Sequence, residues 1–155
     1  MHETDLDRFD RAIILALQAD GSLTNAALSA EVHLSASQVS RRRSALEASG
    51  IIEGYTARVN AKALGFGLRA VVRVNLRSHS GRDDESFAAF MGDLPQIRSA
   101  YSVSGDADYV LQVHVRDLEA FADLIHRHLL PHPQVTQVRS EIVLRTLKEN
   151  AGLAL

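Results

Sequence analysis

HLSASQVSRRRSALEASG, residues 33–50, decides how the first part of this chain is built. Ser35 followed three residues later by Gln38 is a capping box, in which the hydroxyl and the amide each satisfy an otherwise orphaned backbone N–H at a helix start. Leu34 and Val39 occupy the two positions of a hydrophobic staple, and Gly50 supplies the stop. At about 100° per residue, Val39 and Leu46 share the buried side of this helix. Arg41 then points about 200° away from Val39, Arg42 sits about 60° from it, and Arg43 about 40°. The three arginines therefore have three surroundings. Arg41, with Ser37, Ser40 and Ser44 around it and Gln38 to one side, belongs to a polar outer face suited to base edges and phosphates. Arg42, at the boundary, is expected to meet a phosphate or to pair with an acid of the first helix. Arg43 is expected to lay its stem on the core while its guanidinium snorkels outward.

Upstream, Leu6, Phe9, Ile13 and Leu17 recur at helical spacing, with Asp5, Asp7 and Asp10 in the opening turns where the helix dipole favours negative charge. Asp20 and Gly21 end that helix. Thr24 can cap a short second one, TNAALSAEV, whose Leu28 and Val32 lie four apart on one face. Three helices with a three-residue turn between the second and third form a helix-turn-helix, which would send its last helix into a major groove. An arginine run on a helix is most often a solvated face. The helix-turn-helix around this one is what favours a DNA role.

Global charge gives no such pull. The chain has 155 residues, 46% of them hydrophobic and 23% charged, with a net charge of -2. Residues 1–60 hold six Arg and Lys against eight Asp and Glu, so a DNA-binding surface must come from placement of the arginines rather than from excess. No apolar run approaches the ~20 residues of a membrane span, and MHETDLDRFD is acidic where a signal peptide would be basic and then apolar; a cytoplasmic protein is expected. Cysteine is absent, which excludes disulfides and cysteine-rich zinc sites.

From residue 68 the pattern alternates between strand-like and helix-like runs. LRAVVRVNLR is β-rich, DDESFAAFMGDL is helical after acidic caps, and IRSAYSVSG and YVLQVHV are strands joined across a tight GDAD turn. DLEAFADLIHRHLL is an amphipathic helix opened by Asp117 and stopped by Pro131, and VTQVRSEIVLRTLK is a final strand. The expected fold is therefore α+β: an N-terminal helix-turn-helix domain over 1–54, a hinge strand and linker over 55–67, and a C-terminal ferredoxin-like βαββαβ domain over 68–155.

LDRFDRAIILALQADGSLTNAALSAEVHLS, LEASGIIEGYTARVN and SVSGDADYVLQVHV, in this order and spacing, resemble the Lrp/AsnC (leucine-responsive, feast-famine) family of transcription regulators over nearly the whole chain. The resemblance implies a winged or simple helix-turn-helix, a hinge strand, and a regulatory (RAM/ACT-like) module that pairs with a partner through its sheet. It further implies dimers assembling to octamers or similar rings, with a free amino acid bound between subunits. The implied function is sequence-specific binding of double-stranded DNA modulated by such an effector; the alternative is an effector-independent, nucleoid-like architectural protein. The DNA-contacting set is then Thr24, Asn25, Ser35, Ser37, Gln38, Ser40, Arg41, Arg42 and Ser44. By position, the effector set is Tyr101, Gly105, Asp106, Asp108, Tyr109, Val138 and Ser140.

This chain departs from the family pattern at Arg43, where Val or Ile is usual, and at His33, where a turn glycine is usual; His33 would have to adopt a left-handed conformation. The family's two effector-facing threonines on the last strand are replaced by Val138 and Ser140. Read alone, SGDADYV is equally a polar hairpin turn with Asp106 and Asp108 capping backbone amides. Asp106 and Asp108 are the sole tight carboxylate pair in a loop, with no histidine or lysine adjacent to complete a catalytic site, so no enzyme is expected. His126 and His128 diverge by about 200° on a helix and Pro131 interrupts the path to His132, so neither a metal nor another cofactor is expected.

Overall fold

The computed structural model describes residues 6–77, 81–149 and 152–155, the backbone alone over 81–84. Asp5, expected in the first helical turn, and the side chains of Asp83 and Asp84, expected as caps, lie outside the described residues. The chain divides into two compact units, Met1–Arg58 with Leu147–Leu155, and Val59–Thr146. The tail joins the first unit, not the second as expected, because the Gln18 side-chain amide pairs with the backbone of Leu153: Nε2 donates to the Leu153 carbonyl at 3.3 Å, and the Leu153 N–H donates back to Oε1.

The first unit has three helices, α1 Arg8–Ala19, α2 Asn25–Val32 and α3 Ala36–Ala48. Each begins on a side-chain cap. Asp7 accepts from the N–H groups of Phe9 and Asp10, Thr24 from Ala27, and Ser35 from Gln38, whose own side chain returns to the Ser35 N–H at 2.9 Å to complete the capping box. The ends are equally specified. His33 adopts φ 56°, ψ 43°, the left-handed conformation expected of it. Gly50 at φ 74° closes α3 with the Ile51 N–H on the Leu46 carbonyl at 3.0 Å and the Gly50 N–H on that of Glu47 at 3.1 Å, a Schellman motif. Ile13, Leu28 and Val39 are fully buried where the helices meet, with Leu34 packed on them as the staple requires. Replacing Ser35 with alanine removes the cap and is expected to cost this unit about 1 kcal/mol; urea denaturation followed by circular dichroism measures it, and an unchanged midpoint would show that the box contributes nothing.

The expected hinge strand does not form. Residues 53–60 carry neither strand nor helix, and 61–65 are a turn. An extended segment becomes a strand only with a neighbour to share its N–H and C=O groups, and one copy of the chain offers none here. No hairpin forms over residues 51–67.

The second unit runs β1 Leu68–Leu76, α4 Gly81–Gly92, β2 Ile97–Ser102, β3 Tyr109–Val115, α5 Leu118–Asp123 and β4 Val135–Ile142. Its sheet, ordered β2-β3-β1-β4 and antiparallel throughout, is the expected ferredoxin-like topology. Alternate residues of β1 (Ala70, Val72, Val74, Leu76) and β3 (Tyr109, Leu111, Val113, Val115) are buried against Phe87, Met91, Phe121, Leu124 and Leu129 from the helices. Both helices pack on one face. On the other, Val71, Arg73, Val110 and Gln112 stay part-exposed.

Two elements differ from expectation. The helix opened by Asp117 changes winding at Leu124–Leu129, where the Leu130 N–H reaches back five residues to Ile125. In an α-helix, residues five apart diverge by about 140°; the wider turn lets Leu124 and Leu129 both face the core, at 1% and 0% exposure. β4 ends at Ile142, six residues earlier than expected, because its partner β1 runs out: the Val143 N–H still meets the Arg69 carbonyl at 2.9 Å, and no further rung follows. Among the described residues no helix is long and apolar enough to cross a membrane.

Candidate nucleic-acid interface and effector cleft

Helical geometry separates the three arginines as their angles require, with one surprise. Arg41 is exposed and has no ion-pair partner among the described residues. Ser37, Gln38, Ser40 and Ser44 are exposed with it along α3, while Thr24 and Ser35 are committed to capping α2 and α3.

Arg42 is an ion-pair hub. One guanidinium nitrogen meets Asp7 at 2.8 Å and Asp10 at 2.7 Å, and the cation lies 5.5 Å from the centre of the Phe9 ring. Of the two roles open to it in the sequence, the pair with acids of the first helix is the one present. Asp10 and Asp7 hold the guanidinium further in its charged form, and the Asp7 carboxyl falls below its usual value, first through the Asp10 N–H and then through Arg42 and the Phe9 N–H. This also explains why an acidic first unit can carry a basic outer face: two of its acids are turned onto the seam.

The Arg43 guanidinium does not snorkel outward. Its Nε donates to the Tyr55 hydroxyl at 2.8 Å and to Glu47 at 3.2 Å, while one terminal nitrogen donates to the Leu23 carbonyl at 3.0 Å and reaches Asn25 Oδ1 at 3.4 Å. The cation sits 4.6 Å from the centre of the Tyr55 ring. A group with five donors in a planar fork turns to where acceptors converge, and the start of α2, α3 itself and the segment leaving it supply four. Tyr55 in turn donates to Glu47 at 2.8 Å; burial, then that hydrogen bond, raise the phenol's pKa, and the phenol and Arg43 lower that of Glu47. Asn25, expected on DNA, is half-buried in this cluster. Nothing in sequence spacing marks Tyr55 as its centre.

In the second unit a cleft of about 300 Å³ opens between the turn after β2 and the uncovered sheet face, lined by Arg73, Val110, Arg139 and Glu141 with residues 103–107. It takes Gly105 and Asp106 from the expected effector set. Gly105 is at φ 149°, open to its surroundings, and the Asp106 carbonyl accepts from Asn75 Nδ2 at 2.7 Å and from Arg139 at 3.3 Å. Arg73 and Glu141 pair at 3.5 Å across the floor.

Other members of the set lie elsewhere. Asp108 stitches the turn to β1: its Oδ2 accepts from the Leu76 N–H at 2.7 Å, and its own N–H donates to the Val74 carbonyl at 3.1 Å. That is the backbone-capping role. Tyr109 is in the core, 8% exposed and 5.2 Å from the Phe87 ring. Its strand alternates YVLQVHV, so its place beside Leu111 and Val113 is a signal available in the sequence. Val138 and Ser140 oppose Val74 and Val72, so they share the helix-covered face, with Val138 packed on the core. The opposite parity, Arg139 and Glu141, supplies the cleft. Tyr101 opposes Val110 and is exposed on the cleft's side of the sheet. No group of three or more metal-ligating side chains occurs among the described residues.

Two family models match: a winged helix-turn-helix DNA-binding domain over residues 6–53 and an Lrp/AsnC ligand-binding domain over residues 69–153. The chain is 37% identical to the leucine-responsive regulatory protein of Rhizobium meliloti over 145 residues, 94% of this chain and 93% of that protein. It is 36% identical to that of Escherichia coli K12 over 151 residues, 97% and 92%. Among solved structures, it resembles a Neisseria meningitidis transcriptional regulator in complex with L-Met (TM-score 0.93, 36% identity, 96% of each chain). An AsnC family regulator from Agrobacterium tumefaciens is also similar (TM-score 0.90, 28% identity, 96% of this chain and 97% of that one).

Proposed function

The chain belongs to the Lrp/AsnC family of DNA-binding transcription regulators, not enzymes, and from that premise we propose that it binds a roughly palindromic operator as a homodimer or larger ring whose DNA affinity is set by an amino acid. The observation that carries this reading is the outer face of α3, where Ser37, Ser40, Arg41 and Ser44 are exposed together while the neighbouring arginines are committed to protein. Paired α3 helices would occupy half-sites one helical turn apart. The uncovered sheet face, with Val71, Val110 and the exposed Tyr101 and Val103, is suited to packing against a second copy.

The cleft beside that face has the chemistry of an amino-acid site. Arg73 and Arg139 offer cations for a carboxylate, Asp106 and Glu141 anions for an ammonium group, and Val110 an apolar contact. The Neisseria neighbour's L-Met complex favours the same ligand class. Such a ligand, seated between copies, would shift assembly or helix spacing through a coupling of about 1 to 3 kcal/mol. The protein would act in the cytoplasm, at the nucleoid.

Calorimetry of the intact protein against the twenty amino acids, with and without a duplex selected from a randomised pool, tests both halves. Heat of binding from at least one amino acid, and a shift in DNA affinity with it, is expected. Sequence-tolerant, steeply salt-dependent DNA binding with no amino-acid response would replace this reading with an effector-independent architectural protein.

A further inference from the structure

Arg43, Glu47 and Tyr55 form a closed cluster that the DNA-reading face does not use. Arg43 and Glu47 stand one turn apart on α3; Tyr55 belongs to the segment that leaves α3 toward the second unit, three residues before the Arg58 boundary. Three hydrogen bonds close the triangle: Arg43 Nε to the Tyr55 hydroxyl at 2.8 Å, Arg43 Nε to Glu47 at 3.2 Å, and the Tyr55 hydroxyl to Glu47 at 2.8 Å. A fourth bond runs from Arg43 to the Leu23 carbonyl, at the entry to α2. The Tyr55 ring also rests against Gly21, where a Cβ would come within 3.3 Å of it. The residue that leaves α3 is therefore held by a hydroxyl, a ring face and a packed glycine at once. A segment without strand or helix of its own gains a defined exit direction.

We propose that Arg43 is a positioning residue for DNA reading: through Tyr55 it fixes the direction in which the connector leaves the recognition helix, and so the spacing and angle of two recognition helices joined through their second units. It touches no DNA. The side chain is 20% exposed and its Nε is shared between two acceptors, which leaves Arg41 alone of the three arginines turned outward. Because the guanidinium bonds Leu23, Glu47 and Tyr55 simultaneously, a lysine cannot replace it; an ammonium is a point donor without the fork. The proposal rests on the two-half-site reading above.

Tyr55→Phe removes one oxygen and keeps the ring; Arg43→Met keeps most of the stem and removes the guanidinium; Arg43→Lys keeps the charge. Each full-length variant is titrated with a duplex selected from a randomised pool by the wild-type protein, with the same duplex cut to one half-site, and with duplexes whose half-sites are moved by one base pair. All three substitutions are expected to weaken the intact duplex about tenfold, to leave the half-site within about twofold and the salt slope unchanged, and to flatten the preference for one spacing. Equal loss on both duplexes with a salt slope lower by about one would mean that Arg43 contacts phosphate, and overturns the proposal. So would wild-type affinity and spacing preference in Tyr55→Phe. A lowered thermal midpoint with unchanged spacing preference would reduce the cluster to a purely structural role, equally against it. If the wild-type protein shows no half-site periodicity, the two-half-site reading itself fails, an outcome separable from the others.

Discussion

Phe87→Ala is expected to destabilise the second unit by about 3 to 5 kcal/mol, the largest single-site loss that the structure supports. Phe87 is fully buried between α4 and the sheet, with ring centres 5.9 Å from Phe90, 5.2 Å from Tyr109 and 5.3 Å from His132. Its removal leaves a cavity walled by three rings and two strands that the close-packed neighbours cannot collapse to fill. Chemical denaturation should show the transition of this unit moving to lower denaturant while the first unit, with its own core of Ile13, Leu28 and Val39, keeps its midpoint. The chain has three tyrosines and no tryptophan; Tyr101 and Tyr109 lie in the second unit and Tyr55 in the first, so tyrosine emission in a Tyr55→Phe background reports the second unit. A shared transition that moves as one would show that the two cores fold as a single cooperative body.

The same ring sets a pH dependence. His132, tilted against the Phe90 ring at 4.5 Å and edge-on to Phe87, is held below its ordinary 6.5 by burial. The native state thus binds fewer protons than the unfolded chain between that lowered value and 6.5, so stability is undiminished above 6.5 and is lost as pH falls through the folded value. Opening the ring cluster with Phe87→Ala hydrates the imidazole. The acid-side loss attributable to His132 should shrink, and proton-detected titration of its ring should return toward 6.5.

Local chemistry was readable where one element carries both signal and partner. The Ser35–Gln38 box, the Thr24 cap, the left-handed His33 and the Gly50 stop each involve residues within six positions of one another, and all form. The alternation of strand and helix after residue 68 likewise leads to the sheet, because short, uncrossed connections leave few topologies open to the order βαββαβ. What escaped the sequence depends on partners set by the fold. Alternation shows that Val138 and Ser140 share a face but not which; the pairing of Val72 with Ser140 decides it, and gives the cleft to Arg139 and Glu141 instead. The Arg43 side chain is largely buried, yet its guanidinium turns to a carbonyl twenty residues upstream and a phenol twelve downstream. The hinge strand failed for a related reason: strand propensity is a property of a residue, but a strand is a property of a pair.

Arg41→Ala is expected to weaken operator binding by about 1 to 3 kcal/mol, roughly five- to 150-fold, with no measurable change in folding stability. The two expectations belong together. Arg41 is exposed and pairs with no acid among the described residues, so its loss leaves no buried group without a partner. Arg42→Ala is the contrasting control: it strands Asp7 and Asp10, both within 2.8 Å of the lost nitrogen, and should lower stability first and DNA affinity only as a consequence. Arg41 sits in the first half of α3, the part of a recognition helix that meets base edges, among serines short enough not to hold the helix away from the groove. A base contact is therefore the expected mode, bidentate to a guanine through O6 and N7. Repeating the pool selection with Arg41→Ala should then relax preference at one position in each half-site while the dependence of affinity on salt keeps its slope. Uniform weakening with a slope reduced by about one would make Arg41 a phosphate contact. Unchanged affinity and preference would remove it from the interface, and with it the observation on which the reading of this α3 face depends.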